Sequence, residues 1–168
     1  MSYELKTATV ADIDAIIALQ EKIWEPTYRA ILDQEQINYM FQTIYSKEAL
    51  LDQMIKEQHE FVLVYEEGQL TGFASFSRNP AEPERFKLHK IYVLPAEQGK
   101  GAGRLLLDEV IRRSLTAGGN RLYLNVNRYN KARQFYERLG FQMVREEDIP
   151  IGPYWMNDFV LEKELVAH

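Results

Sequence analysis

The sequence predicts an α/β domain built on a mixed sheet, and three observations carry that prediction. Helix-period and strand-period segments alternate along the chain in the order strand, helices, three strands, helix, strand, helix, two strands. Clusters rich in Gly, Pro and Asn separate most of those segments, which is where chain reversals are expected. With 168 residues, 46% of them hydrophobic, the chain has the length for one domain with its own core, spanning residues 1–168.

Residues 4–7 read as a first strand. Thr9, with Asp12 three residues on, has the form of a capping box, and Ile13, Ile16, Ile17, Ile23 and Trp24 continue as the apolar stripe of an amphipathic helix. Pro26 is expected to end that helix, because its ring blocks the preceding turn. Residues 28–40 and 47–57 read as further helix, interrupted near 43–46. Residues 61–65 and 70–76 are β-branched and aromatic runs joined by Glu66, Glu67, Gly68 and Gln69, a hairpin. A loop over 79–83, with two prolines, leads into a strand over 86–93.

Leu107, Val110, Ile111 and Leu115 then share one helix face, and Gly118, Gly119 and Asn120 end the helix. Residues 121–126 form a strand. Ala132, Phe135, Tyr136 and Leu139 fall at i, i+3, i+4 and i+7, a short helix that Gly140 stops. Residues 141–145 and 154–162 close the chain as two strands across a loop around Pro150, Gly152 and Pro153. There is no internal repeat and no low-complexity tract.

Composition removes several functional classes. The chain has no Cys, so it has no disulfide framework, no thiolate metal site and no cysteine nucleophile. Its three His residues, His59, His89 and His168, have no metal-ligand spacing and no clustered Asp motif accompanies them, so no metal is expected. No window approaches 18 uninterrupted apolar residues and residues 1–10 lack an apolar run, from which a soluble cytoplasmic protein without membrane attachment is expected. A net charge of −5 disfavours nucleic acid as a partner, since phosphate binding needs surplus Lys and Arg. The same sign favours the approach of cationic amines.

The most informative segment is the run Ile91, Tyr92, Val93, Leu94, Pro95 followed by Gln98, Gly99, Lys100, Gly101, Ala102, Gly103 and Arg104, which opens into an apolar-periodic helix. Strand, glycine loop and helix start in that order build an anion site. Glycines let successive backbone N–H groups converge on one phosphate, and the partial positive charge of the helix start adds to the attraction. A Walker loop needs Lys and then Ser or Thr after its last Gly, whereas Arg104 and Leu105 follow Gly103. A dinucleotide fingerprint spaces its glycines two and then three apart, whereas these stand at 99, 101 and 103.

Gln98, Gly101 and Gly103 in this spacing resemble the acetyl-CoA pyrophosphate loop of the GNAT N-acetyltransferase superfamily. Downstream, Asn130, Ala132, Phe135, Tyr136, Leu139, Gly140 and Phe141 resemble that family's second signature, in the right order and at a suitable interval. The resemblance implies a mixed, mostly antiparallel central sheet flanked by helices, and acetyl-CoA as the cosubstrate without a metal. It implies that Gln98, Gly99, Lys100, Gly101, Ala102, Gly103 and Arg104 hold the pyrophosphate. Ile91, Tyr92 and Val93 would run beside the acetyl group and pantetheine, with a backbone N–H near Val93 facing the oxyanion. Asn130 matches the residue that touches the CoA arm, and it also suits a helix cap. Tyr136 matches the general acid that protonates the leaving thiolate, a role for which a phenol keeps its proton at neutral pH.

The base departs from the commoner pattern of that family. His89 stands where many relatives have Glu, and an imidazole is a competent base near neutral pH. Glu25 and Glu84 are the alternative carboxylates, and the resemblance also covers enzymes in which a water network deprotonates the amine without one essential base. The resemblance implies substrate recognition by the first helix pair and the loops facing the acetyl end, which hold Trp24, Glu25 and Tyr28 with Tyr39, Tyr154 and Trp155 as further aromatics. Rings beside carboxylates bind ammonium groups, and the same rings equally suit core filling. The segments Trp24 to Tyr28 and Trp155 to Asp158 resemble the polyamine-acetyltransferase branch. The resemblance thus implies direct acetyl transfer to a primary amine, a small cationic amine or polyamine, in a ternary complex. Its alternatives are a protein N-terminus or lysine as acceptor, or a non-catalytic CoA-binding sensor. A homodimer is an expectation of the same resemblance.

Overall fold

The computed structural model describes residues 2–166 and carries the predicted alternation. Its elements are β1 (Tyr3–Thr7), α1 (Ile13–Tyr28), α2 (Gln34–Tyr45), α3 (Lys47–Ile55), β2 (Glu60–Glu66), β3 (Gln69–Arg78), β4 (Arg85–Val93), α4 (Ala102–Thr116), β5 (Arg121–Asn127), α5 (Ala132–Arg138), β6 (Gln142–Ile151) and β7 (Tyr154–Glu164). The strands are hydrogen-bonded in the order β1-β2-β3-β4-β5-β7-β6, a mixed and mostly antiparallel open sheet accompanied by five helices among the described residues. This is the fold class read from the sequence. The contacts divide the chain into two compact units. Residues up to Ser77 with Lys90–Val110 form the first, and Arg78–His89 with the residues from Ile111 onward form the second.

In the first unit, Asp12 Oδ2 accepts a hydrogen bond from the Thr9 N–H at 2.8 Å, the half of the capping box that starts the helical segment. The helix α1 runs through Pro26 to Tyr28, two residues past the expected end. Pro26 sits in the last turn, where only one intrahelical bond is forfeited. Burial of Trp24 and Tyr28 one turn apart on one face offsets that loss. A turn then separates α1 from α2. Ser46 ends α2 and caps α3, its hydroxyl accepting from the Ala49 N–H at 3.1 Å, which explains the interruption anticipated there.

The strands β1 and β2 pair antiparallel from Tyr3↔Glu66 to Thr7↔Val62, and β2 and β3 form the predicted hairpin. Its turn is tighter than the sequence suggested. Only Glu67 and Gly68 lie outside the strands, and both have positive φ, 49° and 80°, as the twist-matched two-residue turn requires. Phe61 and Phe73 stack at 6.3 Å in the core between this hairpin and the helices.

In the second unit, the first part of β4 pairs parallel with β5 from Arg85↔Arg121 to Leu88↔Leu124. A parallel pair needs a crossover, which α4 supplies. The strand β5 pairs antiparallel with β7 from Arg121↔Glu164 to Asn127↔Asp158, and β7 with β6. The expected loop around Pro150 is instead strand. β6 continues to Ile151, with Pro150 opposite Trp155, and only Gly152 and Pro153 make the turn. Pro is tolerated because β6 is the outermost strand and has one side without a ladder partner.

Candidate active site

In the first unit, the end of β4 delivers the chain into the glycine loop. Val93 is buried while Ile91 and Tyr92 are half-buried. The Leu94 N–H donates to the Thr71 carbonyl at 2.9 Å, which fixes the strand end against β3. Gln98 turns back to donate its side-chain amide to the Val93 carbonyl at 3.2 Å. Gly99 and Gly101 then take φ values of +81° and +99°, a region that L side chains avoid. A Cβ on either would point into open space, so the loop presents bare backbone. The helix α4 begins at Ala102, one residue before the last glycine, and the Leu105 N–H to Gly101 carbonyl bond at 3.0 Å closes its first turn.

The N–H groups of Ala102, Gly103 and Arg104 precede that bond and have no intrahelical acceptor. They are the ready donors of the segment. Lys100 is held by Glu97 at 3.2 Å, and its carbonyl accepts from the Tyr3 hydroxyl at 3.1 Å. Arg104 pairs with Asp108 at 3.2 Å along the helix. Both cations are exposed, so these pairs tether side chains rather than hold the fold. The segment therefore fits an anionic phosphate group: open glycine backbone, converging donors and two tethered cations.

The expected substrate residues separate in the same unit. Trp24 is only 4% exposed, its indole N–H donates to the Ile37 carbonyl at 3.0 Å, and its ring lies 4.5 Å from Tyr28 and 5.4 Å from Tyr45. It is a core residue. The Tyr28 hydroxyl lies 3.2 Å from the Tyr92 hydroxyl, which joins α1 to the end of β4. Burial pushes the Tyr45 phenol well above the ordinary value, with Tyr28 adding to the shift. Glu25 projects from α1 to solvent. The Tyr28 and Tyr92 pair was not singled out from the sequence, although the one-turn spacing of Trp24 and Tyr28 was a signal for it.

The second unit holds the other expected residues. Asn130 Oδ1 accepts from the Ala132 N–H at 2.9 Å, so the side chain caps α5 and keeps its amide N–H groups as a donor end. Tyr136, 6% exposed, lies edge-on to Phe141 at 5.7 Å and to Phe135 at 5.3 Å. A cleft of about 270 Å³ lies at the start of α5, lined by Arg128, Asn130, Lys131, Arg133, Gln134 and Glu137 among others. Arg133 pairs with Glu137 at 3.0 Å and Arg128 with Asp148 at 3.1 Å, which leaves the lining less basic than its sequence.

His89 is half-buried on β4. Strand alternation places it on the face of Arg85 and Lys87, opposite to Phe86 and Leu88. Through the registers, that face also carries Tyr123 and Asn125 of β5, Asp158 and Glu162 of β7, and Glu147 of β6. The Arg85 guanidinium lies 3.7 Å from the Tyr123 ring centre and bonds Glu162 at 2.5 Å. Burial lowers the pKa of Lys87. Burial likewise pushes the Asp158 carboxyl up to about 6, against the amide of Asn125, which favours the charged form. None of these residues on the face of His89 was expected, yet the alternation of polar residues at 85, 87 and 89 in a strand was the signal for a polar face. Glu84, the alternative base, is exposed, and Trp155 is 59% exposed near the β6–β7 turn.

Among the described residues no group of three or more His, Cys, Asp or Glu is placed to hold a metal, and His168 lies outside them. No helix among them is long and apolar enough to cross a membrane.

A sequence model of the acetyltransferase (GNAT) domain matches residues 28–152. An uncharacterized N-acetyltransferase of Mycobacterium bovis is 32% identical over 101 residues, which span 60% of this chain and 64% of that relative. The spermidine N(1)-acetyltransferase of Thermoplasma acidophilum is 27% identical over 171 residues and is matched over 98% of both chains. The crystal structure of the PaiA N-acetyltransferase from Thermoplasma acidophilum in complex with coenzyme A superposes with a TM-score of 0.83 at 27% identity, covering 98% of this chain and 99% of that one.

Proposed function

The chain belongs to the GNAT acetyltransferase family, and on that premise we propose that it transfers the acetyl group of acetyl-CoA to the primary amine of a small cationic acceptor, a polyamine foremost, by direct attack in a ternary complex. The glycine loop carries this reading. Gly99 and Gly101 with positive φ, opening onto the unpaired N–H groups of α4, fit an anionic phosphate group such as a pyrophosphate. The superposition on a coenzyme A complex supports the same ligand. The relation to a spermidine acetyltransferase over almost the whole of both chains supports the acceptor class. Acetyl-CoA as donor agrees with the cytoplasmic location expected from the sequence.

The thioester supplies an activated acyl carbon, and the chain's residues have three tasks around it. His89 takes the proton that the amine must lose before its lone pair forms the new C–N bond. The Val93 N–H donates to the carbonyl oxygen as charge develops there. Tyr136 gives its phenolic proton to the sulfur as the C–S bond breaks, and the proton still on the new C–N nitrogen goes to the phenolate, leaving free thiol, amide and a restored phenol. Gln98 to Arg104 hold the pyrophosphate, Ile91 and Tyr92 line the arm, and Asn130 offers it its amide N–H groups. Glu25 and Tyr28 face the acceptor, with Trp24 supporting Tyr28 from the core.

A thiol-release screen tests the proposal: purified protein with acetyl-CoA, against polyamines, amino acids, aminoglycosides and peptides. Release with polyamines is expected. Release with peptides alone would move the acceptor to a protein amine, and coenzyme A binding without release for any class would leave a sensor.

A further inference from the structure

The parallel pairing of β4 with β5 stops at Leu88↔Leu124, so His89 and Asn125 are the first residues past the last paired rung. Two strands along the same face stands Asp158, in register with Asn127 of β5 and Glu147 of β6. Asp158 is 6% exposed, and its Oδ1 is buried with no donor at hydrogen-bond distance, the Asn125 amide lying near enough only to favour the charged form. The Asn125 Nδ2, beside it on the diagonal, is buried without an acceptor. No Lys or Arg among the described residues lies within ion-pair distance of Asp158. A buried carboxylate left in that condition is costly, and a cation that supplies donors removes the cost.

Every charged neighbour already has another commitment or stands off. From β4, Lys87 directs its ammonium toward the Tyr123 ring, at 5.8 Å. From β6, Glu147 is tied to Arg145 at 2.9 Å. After β5, Arg128 turns its Nη2 to Asp148 and Glu146, its buried Nε has no acceptor, and with Lys87 it acts on Asp158 only from beyond ion-pair distance. The acceptor oxygen of Asp158 is thus left for a ligand. Since β4, β5 and β7 lie side by side, His89 and Asp158 are separated by at least two strand spacings, roughly 10 Å.

We propose that Asp158, assisted by Asn125, is the specificity residue that receives the far ammonium group of a diamine or polyamine while the near amine is acetylated beside His89. The proposal rests on the acetyltransferase reading above and deepens it. A terminal ammonium has three donors, enough for Asp158 Oδ1 and the Asn125 carbonyl once that amide turns over. A monoamine leaves the carboxylate unmet, so discrimination comes from the second charge and from its distance.

The test measures kcat/KM with acetyl-CoA for the α,ω-diamines from diaminopropane to diaminooctane and for the n-alkylamines of equal length, in wild type, Asp158→Asn and Asp158→Glu. Wild type is expected to prefer the longer diamines over matched monoamines by about 10- to 100-fold, the span of one charge-assisted bond. Asp158→Asn should abolish that preference through KM, with kcat, monoamine rates and the KM for acetyl-CoA within a few-fold of wild type, and Asp158→Glu should restore part of it. An unchanged diamine preference in folded Asp158→Asn overturns the assignment. Calorimetry of diaminooctane with coenzyme A-saturated protein decides the case in which no amine is acetylated. Binding lost in Asp158→Asn upholds the site while the transferase reading fails, and binding absent from wild type or equal in both proteins overturns the site.

Discussion

In the proposed mechanism single residues carry the chemistry, and their roles are separable by kinetics. Tyr136→Phe removes one proton and little volume, so coenzyme A affinity should stay nearly intact while turnover falls by about 10²- to 10⁴-fold, the span of one general acid. Calorimetry and steady-state rates check both halves. His89→Gln should lower turnover about 10²-fold and flatten the rise of kcat with pH in the neutral range where imidazoles titrate. Profiles of wild type and variant on one amine cancel the amine's own ionisation. Equal shape and height within a few-fold would make His89 a strand residue only.

Asp158 titrates in an overlapping range but leaves a different mark. Its folded pKa of about 6 lies above the ordinary 3.8, so between those values the folded state binds more protons than the unfolded one. Stability contributed by the neutral carboxyl is therefore present at low pH and lost as pH rises through that window. Urea unfolding at several pH values should show wild type losing stability across it more steeply than Asp158→Asn, and parallel curves would contradict the burial of that charge.

Elements explain which expectations were readable in the sequence. The glycine loop, the capping box at Thr9 and the helix ended by Gly140 are local, set by a few residues whose own conformational limits decide the outcome, and all three were legible. Pro26 and Pro150 were misjudged because what surrounds them outweighs the local penalty: a last helical turn with buried Trp24 beside it, and an outermost strand. Trp24 was chosen for its chemistry, but its indole N–H is spent inside the core. Asp158 stands in a segment that resembles the polyamine branch, but its place beside Asn125 on the face of His89 is not readable along the chain. Their juxtaposition with His89 comes from strand register, a long-range property that no spacing along the chain displays. The loop itself is the element to perturb. Gly101→Asp should weaken coenzyme A binding at least 10-fold, since it forces positive φ on a side chain and sets a carboxylate where phosphate is expected. Unchanged affinity in a folded variant would remove the loop from the binding site.

At the scale of the whole molecule, the residues given proposed roles are found in both units. The first holds the phosphate loop and the paired phenols of Tyr28 and Tyr92, and the second holds His89, Asn130, Tyr136 and the polar face with Asp158. The surplus of acids gives the molecule a net charge of −5, which suits a cationic acceptor more than it suits nucleic acid. The most direct measurement follows an isotope-labelled acetyl group from acetyl-CoA by mass spectrometry in the presence of spermidine, with wild type and the Tyr136→Phe variant side by side. Label appearing on a spermidine nitrogen together with free thiol, at a rate that collapses in Tyr136→Phe, is the predicted result. Label that stays on acetyl-CoA with every amine offered, while the protein binds coenzyme A, would contradict it.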